Sequence, residues 1–265
     1  MIHHGDIVNS LLKLEIDSRQ PVMVHCSLSA IGTVDGGSES LLRGLLFCFD
    51  QLVMPAFTYQ TMLVPQAGPD NNGLEYGSGL EQNRQAEFFH PNLPVHASLG
   101  VVAEHFRQQG SASRTLHPIL SFAGVNASDF MHTQKIDEPL QPVGALAQAG
   151  GWVLLMGVDQ RANTSIHYAE REAGRKQFIR WALTPRGVVE CPHFPGCSDG
   201  FNSLGERVHA LRRAVRLGRT TVQAYPLEGL VSSVVEWITE DPLALLCDSP
   251  TCMRCQAVRA DLDGS

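Results

Sequence analysis

The sequence predicts an α/β fold, and three observations carry that reading. The first sixty residues alternate helix, strand, loop, helix and strand. Gly151-Trp-Val-Leu-Leu-Met-Gly157 is apolar throughout and bounded by glycines, the pattern of a strand buried on both faces. A helix-compatible stretch follows it at 164–173. No internal repeat, low-complexity tract or linker interrupts the 265 residues, so one domain is expected over 1–265.

Taken in order, Ile7, Leu11, Leu12 and Leu14 space an amphipathic helix over 5–17. Pro21-Val-Met-Val-His25 reads as a buried strand. Gly32-Thr-Val-Asp-Gly-Gly37 is a turn-rich loop, and Ser38 is placed to cap a helix running to about Phe49. Leu52-Val-Met-Pro55 is a second strand that stops at its proline. Residues 60–95, rich in Gly, Pro, Asn and Gln, predict an extended loop of the kind that binds or covers ligands. A helix returns over 97–109 through Leu99, Val102, Ala103 and Phe106, and Ser121-Phe-Ala reads as strand. The stretch 187–204 is turn-rich. Helices are expected at 205–216 and 228–239, before a cysteine-bearing tail.

Composition bounds the function. Hydrophobic residues make up 43% and charged residues 18%, as in a globular protein. A formal charge of −7 argues against bulk nucleic-acid binding and suits a cationic ligand. No apolar run reaches the roughly 18–20 residues of a membrane span, and the N-terminus has no signal-peptide core, so a cytoplasmic protein is expected. The seven cysteines then read as reduced thiols, with metal ligation open. No G-x-G-x-x-G, Walker A, G-x-S-x-G or H-E-x-x-H pattern occurs.

Four constellations remain. His25-Cys-Ser-Leu-Ser-Ala-Ile-Gly32, running on to Gly36 and Gly37, lies between a strand and a helix, where glycines and free N–H groups can receive a phosphate; an ordinary turn is the alternative. Asn163-Thr-Ser-Ile-His167-Tyr-Ala-Glu170 follows the glycine-bounded strand. His167 and Glu170 are three residues apart, so on a helix the carboxylate can fix the imidazole tautomer and leave the other nitrogen to accept a proton. A surface His–Glu pair is the plain alternative. Arg114-Thr-Leu-His117-Pro-Ile-Leu-Ser121-Phe122 offers a guanidinium for a phosphate, or a satisfied buried turn. Cys191 and Cys197, with Cys252 and Cys255, provide two pairs for a structural zinc, against isolated thiols. Cys26 lacks an evident base and reads as a small buried residue, while Trp152, Phe88, Phe89 and Phe122 read as core.

Together these segments resemble the aminoglycoside 3-N-acetyltransferase family, the antibiotic N-acetyltransferase superfamily that is distinct from the GNAT fold. The resemblance runs from about residue 20 to the end. It rests on the His25–Gly37 opening, Val53-Met-Pro-Ala-Phe-Thr58, the Arg114–Phe122 segment with Thr115 where serine is usual, and Gly151–Val158 followed by Asn163–Glu170. It implies an α/β fold with a central mixed β-sheet flanked by helices and a long cleft for acetyl-CoA. It implies direct transfer of acetyl to an amine (the 3-amino group of an aminoglycoside), with His167 as general base and Glu170 orienting it. A related acceptor amine of biosynthesis or metabolism, or a non-catalytic CoA-binding module, are the other readings.

The cofactor side implied comprises His25, Ser27, Leu28, Ser29, Ile31, Gly32, Val34, Gly36, Gly37, Arg114, Ser121 and Phe122. The acceptor side implied comprises Tyr59, Glu75, Asn163 and Thr164, with loops near 60–95. Asn71-Asn-Gly-Leu-Glu-Tyr-Gly-Ser-Gly-Leu-Glu81 departs from the segment usual in resistance enzymes. Acids available for a polycation are Asp70, Glu75, Glu81, Glu87 and Asp159. The expected partners are acetyl-CoA and a cationic amine acceptor, with a homodimer allowed and neither nucleic acid nor membrane.

Overall fold

A computed structural model describes residues 1–263. In chain order the elements are α1 (His4–Leu12), β1 (Val22–Cys26), α2 (Leu28–Ile31), α3 (Gly37–Cys48), β2 (Leu52–Pro55), β3 (Met62–Leu63), α4 (Leu80–Gln85), α5 (Gly100–Arg107), β4 (Ala112–Arg114) and β5 (Phe122–Val125). There follow α6 (Ser128–Met131), α7 (Gln141–Gln148), β6 (Trp152–Met156), α8 (Thr164–Glu172), β7 (Phe178–Thr184), β8 (Gly187–Phe194), β9 (Arg213–Leu217), β10 (Thr220–Pro226), α9 (Leu227–Glu240) and α10 (Met253–Asp263).

Seven strands form a mixed sheet in the order β4-β5-β2-β1-β6-β10-β9. Its centre is parallel: β1 pairs in parallel with both β2 and β6, and the outer pairs are antiparallel. The central strands are apolar because both their faces are covered. On β6, Trp152, Leu154 and Met156 pack into one core cluster with Ile7, Leu41 and Phe106 of α1, α3 and α5. Val153 and Leu155 point the other way, into a second cluster with Val143, Ile166, Leu230 and Val234 of α7, α8 and α9. A separate antiparallel sheet, β3-β7-β8, stands beside this one.

Several sequence expectations shift. The first helix ends at Leu12, before Glu15, which takes a left-handed φ of 53°. Ser38 is not the cap of α3: Gly36, at φ 73°, occupies that place, and Ser38 is buried with its hydroxyl 2.6 Å from His105 Nδ1. The expected helix over 205–216 does not form. Short 3-10 turns at Phe201–Gly205 and His209–Leu211 lead into β9, whose pairing with the β-branched β10 overrides the weak helical spacing. The turn-rich reading of 187–204 misses β8, and β7 alternates buried with half-buried positions in a period of two. Residues 60–95 are mostly loop, holding the end of a 3-10 turn at Tyr59–Thr61, β3 and the short helix α4. Among the described residues no helix is long and apolar enough to cross a membrane.

Candidate active site

A cavity of about 1190 Å³ opens where the parallel strands end. His25 and Cys26 finish β1, Met54 and Pro55 finish β2, and Val158 follows β6, and all five line it. Open α/β sheets bind ligands at this place, beyond the carboxyl ends of the strands. The turn after β6 passes tightly over residues 27–30. A Cβ on Gly157, at φ 74°, would come 2.9 Å from Ala30 Cβ and 3.0 Å from the Ser27 carbonyl oxygen, so only glycine fits there.

His167 is carried into this cavity by α8. Asn163 caps the helix, its side chain accepting from the Ser165 amide at 3.2 Å and donating to Gln160 Oε1 at 2.8 Å. Glu170, one turn on from His167, is 2% exposed. Its Oε2 lies 2.8 Å from His167 Nδ1, and its Oε1 accepts from Arg175 Nη1 at 2.9 Å. Arg175 is itself buried and donates through Nη2 to the Pro242 carbonyl at 2.9 Å. The carboxylate is thus paired on both oxygens in the dry interior. With Nδ1 engaged, Nε2 is the imidazole nitrogen left for chemistry, and the Phe201 ring, 4.7 Å from the imidazole centroid, braces it.

The predicted site residues divide sharply. His25, Ser27, Leu28, Ser29, Gly32, Tyr59, Asn163, Thr164 and His167 line the cavity together. His25 is 7% exposed, and its Nε2 accepts from the Thr164 amide at 3.4 Å, tying β1 to the start of α8. Burial pushes its imidazole down to about 3, so it stays neutral. Burial likewise pushes the Cys26 thiol up to about 12, which leaves no thiolate nucleophile. Tyr59 stands edge-on to His96 at 5.3 Å and to Phe194 at 6.5 Å.

Ile31, Val34, Gly36, Gly37, Arg114, Ser121, Phe122 and Glu75 lie off the cavity wall. The glycine pair serves the entry to α3, with φ of 73° and 58°. Arg114 ties three loops together rather than facing a ligand. It donates to Ser121 Oγ at 3.1 Å, to the Ala56 carbonyl at 2.6 Å, to the Pro91 carbonyl at 3.2 Å and to the Leu93 carbonyl. Burial lowers this guanidinium to about 10. Ser121 is fully buried and donates to the Ala56 carbonyl at 2.7 Å, and Phe122 is core. His117 accepts from the Ile119 and Leu120 amides at 3.2 and 2.9 Å, which makes it the hinge of a buried turn. Glu75 is exposed, while its neighbours Gly73 and Leu74 reach the cavity.

Sequence reasoning missed Arg180 on β7, residues 194–196 at the end of β8, residues 98–101 before and into α5, and Arg254 on α10, all of which line the cavity. The thiol set is also corrected. Cys191 is buried on β8, apart from the others. Cys247 takes its place, and the sulfur atoms of Cys197, Cys247, Cys252 and Cys255 all lie within 4.8 Å of one another. The Cys255 neighbour, more than burial, pushes the Cys197 thiol up, as expected for thiols crowded together. The signal was the Cys252-Met-Arg-Cys255 pair; its partners come from two separate loops, which spacing alone cannot join.

Known proteins settle the family. The sequence model of aminoglycoside 3-N-acetyltransferase matches residues 23–239. The chain belongs to the aminoglycoside 3-N-acetyltransferase family. As a member it is an acyltransferase of the non-GNAT type. It is 30% identical to aminoglycoside N(3)-acetyltransferase VIII of Streptomyces fradiae, over 89% of this chain and 92% of that protein. It is 27% identical to the SPbeta prophage-derived aminoglycoside N(3')-acetyltransferase-like protein YokD of Bacillus subtilis, over 62% of this chain and 63% of that protein. The crystal structure of aminoglycoside acetyltransferase AAC(3)-IVa superposes with a TM-score of 0.79 at 23% identity, covering 98% and 97% of the two chains, which is the same fold.

Proposed function

We propose that this protein transfers the acetyl group of acetyl-CoA directly to an amine, with His167 as the general base. The observation that carries the reading is the His167–Glu170–Arg175 relay on the wall of the strand-end cavity. A protonated amine has no lone pair for attack on a thioester. His167 Nε2 takes the proton as the amine nitrogen forms its bond to the acetyl carbon. The carbon–sulfur bond then breaks, and the coenzyme leaves as a thiolate that recovers a proton. Glu170 holds the tautomer and stabilises the imidazolium, and Arg175 fixes Glu170 in place through its other oxygen.

The turn through Ser27, Leu28, Ser29 and Gly32 receives the pantetheine end. A second basin shares Ser27, Val158, Arg161 and Ala162 with the cavity and adds Arg216 and Arg219, with Asp159 and Asp199 also lining it. Its cations suit the coenzyme phosphates. Among the structural relatives, AAC-IIIb is described as binary with CoASH, and AAC(3)-IVa in complex with a gentamicin and with apramycin. An aminoglycoside 3-amino group is therefore the first acceptor to try. One observation favours a different amine: among the described residues, no Asp or Glu lines the cavity.

The four clustered thiols fit a structural zinc: an all-sulfur donor set, mostly buried. Cys197, Cys247, Cys252 and Cys255 would hold it, and it would supply cross-linking of the 196–198 segment to α10, not chemistry. The test of the enzyme reading is an acceptor panel with acetyl-CoA, followed by thiol release and product mass. His167→Ala should cut transfer by about 10²–10⁴-fold while acetyl-CoA still binds. Undiminished turnover in that variant defeats the base assignment.

A further inference from the structure

We propose that the acceptor carries an anionic group, a phosphate or carboxylate, that is clamped by Arg180 and Arg254 while its amine faces His167. This deepens the transferase reading above and rests on it. Among the described residues, the cavity wall holds three arginines and no carboxylate. Arg161 has its own counter-ion, Asp159, at 2.8 Å. Arg180 and Arg254 have none among the described residues.

Arg180 is only 4% exposed, yet its fork meets backbone carbonyls alone: Ile179 at 2.7 Å, Asn72 at 3.1 Å and Gly73 at 3.4 Å. The Phe178 and Phe194 rings lie against its guanidinium, their centroids 5.5 and 5.3 Å away. Burial first, and the neighbouring Arg254 charge second, push it down to about 10. Two like charges held together in a half-dry cavity are costly unless an anion joins them.

The arrangement is built rather than incidental. Arg254 donates through Nη1 to the Gly196 carbonyl at 2.8 Å and lies between Cys252 and Cys255, so the thiol cluster fixes its backbone. Gly73, at φ 55°, lets the loop come so close that a Cβ there would sit 2.9 Å from Arg254 Cγ. A second basin beside the 27–32 turn adjoins the cavity through Ser27, Val158, Arg161 and Ala162 and adds Arg216 and Arg219, cations that suit the coenzyme phosphates and leave the Arg180–Arg254 pair for the acceptor. A polycationic aminoglycoside would meet repulsion here, whereas an amino sugar bearing an anion would meet a planar, two-arginine fork.

The test uses acceptors that differ only in the anion: glucosamine, glucosamine 6-phosphate and the corresponding 6-carboxylate, beside gentamicin as the polycation. Thiol release with acetyl-CoA gives kcat and KM for each. The expected result is a kcat/KM at least tenfold higher for one or both anionic sugars than for glucosamine or gentamicin. The better of the two identifies phosphate or carboxylate. Arg254→Gln should raise the KM of that acceptor at least tenfold with acetyl-CoA KM unmoved, and Arg254→Lys should restore part of the preference. Preference for gentamicin or for the neutral sugar overturns the anion clamp and leaves the transferase reading standing. A rise in acetyl-CoA KM alone assigns the pair to the coenzyme and also overturns it. No transfer to any acceptor, in enzyme that binds acetyl-CoA, defeats the transferase reading and this inference with it.

Discussion

Two parts of the cavity wall are assembled in different ways. The first comes from the tips of β1 and β6 and the turn that follows β1, continuous pieces of chain in which His25, Ser27, Ser29, Asn163 and His167 stand within recognisable strings. The second joins Gly73 from a loop, Arg180 from β7, residues 194–196 at the end of β8 and Arg254 from α10, positions scattered over more than 180 residues. The first holds the His167–Glu170 pair, and its one arginine, Arg161, is already paired with Asp159. The second carries unpaired positive charge. On the function proposed above, the reacting centre is built from local sequence and the selectivity surface from tertiary assembly. Loops and added sheets can change what is acetylated without disturbing how.

The largest expected effect tests the first part. His167→Ala should reduce kcat by about 10²–10⁴-fold, the usual worth of a positioned base, with acetyl-CoA affinity within twofold of the parent by equilibrium binding. A drop confined to KM would move the proton transfer elsewhere.

Next comes the carboxylate behind it. Glu170→Gln leaves Arg175 buried without its anion, so unfolding free energy should fall by about 3–5 kcal/mol in a denaturant titration. Its kcat should fall as well, because the amide no longer stabilises an imidazolium. Stability lost with kcat intact would make the pair structural only. The double variant Glu170→Gln, Arg175→Met separates the two effects, since it removes the orphaned charge and should recover much of the stability but not the rate.

The thiol cluster tests the second part. Purified protein should carry about one zinc per chain, and a strong chelator should lower the melting temperature, because metal binding is coupled to folding. Cys247→Ala should lose the metal, while Cys191→Ala should keep it, which checks the corrected ligand set directly. If zinc fixes Arg254, metal removal should raise acceptor KM more than acetyl-CoA KM.

The contrast also explains what the sequence revealed. The parallel core and α8 were legible because an apolar run between glycines and an i, i+3 His–Glu pair each encode their own geometry within a dozen residues. Arg114 misled for the opposite reason. Its chemistry suits a phosphate, but nothing in its neighbours announces that the Ala56, Pro91 and Leu93 carbonyls will converge on it. Arg180 was invisible because β7 lies in a second sheet whose pairing with β3 joins residues more than a hundred positions apart. Cys247 was left out of the zinc set because spacing alone does not join it to Cys197 in a loop fifty residues earlier and to Cys252 and Cys255 at the start of α10.

The smallest effect concerns pH and the neutral histidine at the tip of β1. The folded state holds His25 down near 3, against about 6.5 in the unfolded chain. A depressed folded value means the unfolded chain binds the extra proton, so the stability His25 contributes is full above about pH 6.5 and declines as pH falls towards 3. The slope is about 1.4 kcal/mol per pH unit for one proton. His117, held near 4 by burial, adds a second proton over much of the same window. Unfolding free energy measured at pH 6.5 and at 5 should therefore fall by a few kcal/mol in the parent. His25→Gln, compared over the same interval, should lose roughly half of that dependence. An unchanged slope would mean that the imidazole takes up its proton inside the folded cavity, and that the hydrogen bond from the Thr164 amide does not hold β1 to α8.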